Sequence, residues 1–342
     1  MQNEAVISPK KSITPALALI VLSPVIAELL SGATRLSTIF ALIPEMMVWG
    51  CGTLLIRETA RRRGLGWSAL LLMGLGLSIA EEFIIQQTSL APLPWLKTGS
   101  MYGRALGVNW IYFLFMLGFE SVWVVLVPIQ VTEFIFRERR TEPWLRMRGF
   151  VVTAVVFILG SRIAWYGWIK RVRPMVFHVP PYHPPALTIL SGALAIIFLV
   201  LASINLRPRG PSASVATPPA PGAVGVITFA LGLPWYGIII LAFTSTSKLT
   251  ALPFWIPMIG GVAWAGMVFL IVRRWSSSVV WRDVHQYALT FGAMLVPMVG
   301  GFAGSNLWPR IDLIGKSVLD VIAVLLLVAL GRVVRTTRGS TG

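Results

Sequence analysis

Residues Trp67–Ile85 read WSALLLMGLGLSIAEEFII, and the two adjacent glutamates near the end of this run decide how the chain is understood. A spanning helix needs roughly 20 largely apolar residues, and this stretch supplies them. An ionised carboxylate near the middle of a bilayer costs several kcal/mol, from about 2.5 upward. Glu81 and Glu82 stand side by side, so the second must ionise against the first. The pair therefore demands a proton, a cationic or hydrogen-bonding partner, or a water-filled cavity. Each of these would make it a functional feature.

The rest of the chain agrees with a membrane setting. Hydrophobic residues make up 56% of it and charged ones 12%, with a mean hydropathy of +0.78. A soluble core could not hide that much apolar surface. The formal charge of +16 raises nucleic acid as a partner, but most basic residues lie in short clusters between apolar segments, so the bilayer is the expected partner and nucleic acid is not. The single cysteine, Cys51, leaves no intrachain disulfide or Cys-based metal site. The polar start MQNEAVISPKK, followed by an apolar run that is too long and has no small-residue cleavage pattern, predicts no cleavable signal peptide.

Ten apolar segments follow: about 13–31, 37–56, 66–87, 109–135, 149–169, 186–206, 223–244, 252–272, 285–304 and 311–331. The expected fold is all-α, a polytopic integral membrane protein of a bacterial-type cytoplasmic membrane. With the N-terminus inside, 19 basic residues fall in inner segments and 8 in outer ones, a bias that places both termini in the cytoplasm. The Pro-, Ser- and Ala-rich run 207–222 (RPRGPSASVATPPAPG) reads as a linker. It divides the chain into a six-helix unit, 1–206, and a four-helix unit, 223–342. No internal repeat is visible across it. Tryptophans near the segment ends, among them Trp67, Trp95, Trp110, Trp144 and Trp308, form an interfacial belt, and Gly74, Gly76, Gly300 and Gly301 permit close helix approach.

Polar residues inside these segments mark the candidate site. Glu28, Glu45, Glu81, Glu82, Glu120 and Arg162 all fall in the outer half of the predicted bilayer. A guanidinium at that depth is expected to take a bidentate carboxylate partner, so Arg162 should contact one of the five glutamates. Asp312, Lys316 and Asp320 recur at i, i+4, i+8 and read either as a self-satisfied ion network or as relay groups. Glu133, beside an inner basic cluster, reads as a surface residue. His178 and His183 lie in the proline-rich outer loop 173–185 and His285 at the start of the ninth segment. The two loop histidines read as exposed or, above the carboxylate pair, as ligands for a divalent metal such as zinc, and metal dependence and cofactors stay open. No HExxH, P-loop, dinucleotide-binding or GxSxG pattern occurs.

The run LLLMGLGLSIAEEFIIQQ resembles the first motif of the CPBP family, the CAAX-protease-like intramembrane proteins, which carry paired glutamates, three residues and an arginine. Glu81 and Glu82 match, and Gln86 stands in the arginine slot. The family's second motif, Phe-xxx-His, falls at Met116 and Glu120, and the third, His-xxx-Asn or His-xxx-Asp, has no match, since His285 is followed at that spacing by Leu289. The resemblance covers about twenty residues and implies a glutamate-activated intramembrane hydrolase.

Three readings stay open. In a hydrolase, Glu81 or Glu82 acts as general base on water, oriented by Glu120 or Arg162. In a proton- or cation-coupled transporter, the same carboxylates form a relay with Glu28, Glu45, Asp312, Lys316 and Arg162 as binding or switching partners. In a scaffold, ion pairs only fix helix register.

Overall fold

The computed structural model describes residues 12–94, 102–206, 217–243, 252–303, 305 and 308–336. Trp95 and most of the 207–222 run lie outside them. The fold is almost wholly helical: α1 (Thr14–Leu29), α2 (Leu36–Arg62), α3 (Trp67–Ile85), α4 (Trp110–Ile135), α5 (Met147–Met175) and α6 (Ala186–Asn205), then α7 (Pro221–Phe243), α8 (Trp255–Ser276), α9 (Asp283–Gly300) and α10 (Arg310–Thr336). Among the described residues, eight of these are long and apolar enough to cross a membrane, and α1 is a shorter apolar helix. α9, with 18 residues, is not among the eight.

Local chemistry sets the boundaries. α2 ends at Arg63 and Gly64, the glycine at φ +63°. The Leu65 N–H then donates to Ala60 O (2.9 Å) and the Gly64 N–H to Arg61 O (3.4 Å). That is the two-bond C-terminal closure a left-handed glycine permits, and buried Leu65 completes it. Before α4 a two-residue hairpin pairs Arg104–Ala105 with Val108–Asn109. Leu106 and Gly107 at its tip both have positive φ, as the tight turn requires.

Prolines inside the helices tie the bundle together. A helical proline blocks the bond to the carbonyl four residues earlier and frees it. Pro128 frees Val124 O, which accepts the hydroxyls of Ser23 on α1 (2.8 Å) and Thr53 on α2 (2.9 Å). Pro297 on α9 frees Ala293 O, which accepts the Trp123 indole N–H of α4 (2.8 Å). In a bilayer no water can satisfy such carbonyls, so each freed carbonyl is also a link between helices.

One apolar cluster draws on helices from both sides of the 207–222 run, with Leu19, Trp49, Leu70, Phe119 and Trp123 packed with Trp235, Tyr236 and Val296. α3 is the most enclosed helix, with 67% of its apolar window buried against 6% for α8. At Gly74 of α3 a Cβ would sit 3.2 Å from the Ser121 backbone of α4, so a small residue there sets the approach of the two helices that carry Glu81, Glu82 and Glu120.

Candidate carboxyl site

All five glutamates predicted from sequence come together inside the bundle. Glu45, Glu81, Glu82 and Glu120 are buried, and Glu28 is partly so. Glu81 lies within electrostatic reach of Glu82, Glu28 and Glu45, and Glu120 within reach of Glu82, Glu81 and Glu28.

Backbone geometry singles out the same positions. Four π-helical turns interrupt α1 to α4: Val25–Leu29, Met46–Gly50, Glu81–Ile85 and Glu120–Leu126. Glu28 lies within the first, Glu45 immediately precedes the second, Glu81 and Glu82 open the third, and Glu120 opens the fourth. A π turn holds one extra residue and re-aims the side chains around it, and such turns concentrate at functional sites. A fifth, Tyr166–Val172 on α5, carries no acidic residue.

Short hydroxyl side chains bridge the acids. Thr34 Oγ1 stands 2.7 Å from Glu45 Oε1 and 3.0 Å from Glu28 Oε2. A hydroxyl has one hydrogen to donate, so both contacts are hydrogen bonds only when one of the two carboxyls carries a proton and donates it to Thr34. The Ser89 hydroxyl donates to Glu82 Oε2 (2.6 Å). Ser78 neighbours Glu120 but gives its proton to Met116 O (3.1 Å). Both oxygens of Glu81, both of Glu120, Oε1 of Glu82 and Oε2 of Glu45 are buried with no hydrogen-bond partner among the described residues. Two tyrosines border the group: Tyr112 in electrostatic reach of Glu82 and Glu120, and Tyr236 in reach of Glu28 with its hydroxyl unpartnered.

The segment after α3 closes over Glu82. Asn109 fastens it, donating from Nδ2 to Thr88 O (3.1 Å) and Ala91 O (2.7 Å), while its N–H meets Ser89 O (2.7 Å). Arg104 clamps the hairpin, donating to Asn109 Oδ1 (2.5 Å) and Leu90 O (2.9 Å). These residues hold Ser89 against Glu82. Sequence reading missed them and Thr34, because single polar residues in a connecting segment carry no periodic signal. The one visible cue was Gly103-Arg104-Ala105-Leu106-Gly107, a turn-forming run directly ahead of α4.

Other expectations are corrected. Arg162 makes no ion pair with any of the five glutamates among the described residues. It is exposed on α5 with its guanidinium 4.2 Å from the Trp165 ring centre. Gly160 is the α5 residue pressed onto Met47 of α2. Two residues further along, Arg162 points to the opposite side of the helix. Hydropathy marks a position along a helix but not the direction around it. The Asp312–Lys316–Asp320 ladder is split. Asp312 accepts the N–H (3.0 Å) and hydroxyl (2.9 Å) of Ser37, whereas Lys316 donates to Asp320 Oδ2 (2.6 Å), Leu30 O (2.7 Å) and Met298 O (3.1 Å).

Glu133 is buried rather than on the surface. It receives Arg61 through two bonds (2.9 and 2.7 Å) and Arg57 at 3.0 Å. Arg57 itself is fully buried, 3.3 Å from the Trp144 ring centre, and also donates to Glu58 and to the carbonyls of Arg139, Arg140 and Glu142. By position Arg57 directly follows the second apolar segment, 37–56, and counts among the 19 inner basic residues. It is instead the pin that holds the α4–α5 connection. His285 stacks on Trp281 and accepts the Arg282 N–H. No group of three metal-binding side chains is found among the described residues.

Comparison with family models, with curated proteins and with solved structures gives no match.

Proposed function

We propose that the carboxyl cluster is the acid–base centre of a glutamate-dependent intramembrane hydrolase, in a protein that crosses a bacterial-type cytoplasmic membrane ten times with both termini inside. The observation that supports this is the state of Glu81 and Glu120: four buried carboxyl oxygens with no hydrogen-bond partner among the described residues, on adjoining helices and within electrostatic reach of each other. Two neighbouring buried carboxyls cannot both ionise, so one keeps a proton while the other serves as base. The ionised member would take a proton from water as it attacks a carbonyl carbon, and the protonated member would give its proton to the leaving group. Glu82, held by Ser89, supplies the second carboxyl of the resemblance to the CPBP family. A scaffold would pair its buried charges, and these groups have no partner among the described residues.

The test is peptidomic. The purified protein in nanodiscs is incubated with a membrane-protein extract, and new chain termini are read by mass spectrometry beside the Glu81→Gln and Glu120→Gln variants. Cleavage sites that vanish in both variants support the reading. Identical termini in all three samples overturn it.

A second reading, proton-coupled transport, is favoured by one contact. The Lys316 ammonium rests on Leu30 O, two residues beyond Glu28, which places a cation at the edge of the cluster. Proteoliposomes carrying the protein would then dissipate a pH gradient, and Lys316→Met would slow the flux.

A further inference from the structure

Away from the carboxyl site, a cleft of about 740 Å³ opens between α7, α9 and α10. Its volume lies within the roughly 300–1,000 Å³ typical of small-molecule sites. Phe229, Phe291 and Leu295 line its length, and Val226 and Val328 on its walls are exposed. Gly225 and Gly292, where α7 and α9 touch through the backbone, let the two helices meet behind it. At one end stand Arg332 and Arg335, both exposed and both lining the cleft. They are three residues apart on one helix face, an arrangement that like charges disfavour. No ion pair among the described residues neutralises either, and no acidic residue lines the cleft.

An apolar trough ending in two uncompensated guanidinium groups matches a molecule with a long apolar body and an anionic head. We propose that this cleft holds an anionic phospholipid, its acyl chain along Phe229, Phe291 and Leu295 and its phosphate on Arg332 and Arg335. The first turn of α7, at Pro221 and Gly222, borders the same end and adds the positive pole of a helix. Basic pockets between transmembrane helices recognise lipid headgroups in this way. A free phosphate would have no use for the trough, so the commitment is to the lipid.

Native mass spectrometry of the full-length protein, released from micelles doped with equal amounts of phosphatidylglycerol and phosphatidylcholine, tests the assignment. With two arginines at the head position, the wild type should retain phosphatidylglycerol with a preference on the order of tenfold or more. The Arg332→Gln/Arg335→Gln double variant should bring the two lipids to near-equal retention. Gly222→Trp places a ring at a position where a Cβ meets nothing within 4 Å, so it should fill the head end and lower retention of both lipids without unfolding the protein. Thermal unfolding in phosphatidylcholine alone serves as the folding control for each variant. Equal retention of the two lipids by the wild type overturns the proposal, as does a preference that survives the double variant. Lipid that binds only after residues 337–342 are removed would assign the cleft to the chain's own end, and overturns it too.

Discussion

Two glutamates of this protein are completely buried for opposite reasons, and replacing each by methionine should move stability in opposite directions. Glu58 accepts the Trp144 N–H (2.7 Å), the Leu145 N–H (3.1 Å) and Arg57 Nη1 (3.1 Å), with Arg62 at 3.6 Å. Glu58→Met leaves two backbone N–H groups and part of a buried guanidinium without acceptors. Breaking a buried pair from one side costs about 3–5 kcal/mol. Glu120 has no hydrogen-bond partner for either oxygen among the described residues, and the helix around it is apolar. Glu120→Met therefore removes an uncompensated polar group, whose burial costs about 1–3 kcal/mol by the measure of protein mutants, and keeps nearly the same volume. It should raise stability while abolishing any activity that depends on the site. Equilibrium unfolding in mixed micelles, with the slope against denaturant checked for constancy, measures both. If Glu120→Met loses as much stability as Glu58→Met, then Glu120 is satisfied in the folded protein and the argument for a reactive, unpartnered carboxyl fails.

Other outcomes follow from single contacts. Asp283 sits where burial pushes its carboxyl up, but hydrogen bonds from Arg140 and Arg137 outweigh burial and hold it below the ordinary 3.8. Its contribution to stability is thus fully present above that value and is lost as pH falls through the lower folded value. Unfolding midpoints taken below about pH 4 should fall more steeply for wild type than for Asp283→Asn, and parallel curves would refute the clamp. Thr34→Val removes the hydroxyl shared by Glu28 and Glu45 and should cost about 1–3 kcal/mol. Thr34→Ser should recover most of that in the same unfolding assay, and failure to recover would mean that the methyl group, not the hydroxyl, matters. Arg162→Leu loses only an exposed contact with Trp165 and should cost no more than about 1 kcal/mol, against about 3–5 for Arg57→Leu. Comparable losses from the two, read as folded yield in detergent, would show that Arg162 has a buried partner after all.

Sequence alone determined the medium and the acids. Runs of some twenty apolar residues leave a bilayer as the only solvent, and a glutamate within such a run is conspicuous because its cost there is high. Glu28, Glu45, Glu81, Glu82 and Glu120 could therefore be picked out before any helix was placed. Lys316 was legible for the same reason, though its two carbonyl partners were not. Tertiary structure alone decided which polar groups meet, because hydropathy reports depth along a helix and says nothing of azimuth. Arg162 shares the depth expected of the glutamates yet is exposed, two residues beyond the Gly160 contact that turns α5 the other way. Arg57 reads in sequence as one of the 19 inner basic residues, but the packing of Trp144 and the α4–α5 connection buries it entirely. The π turns at the acids were equally hidden. A single extra residue in a helical turn leaves apolar composition unchanged, and only the backbone path shows that a π turn falls at or beside each acid.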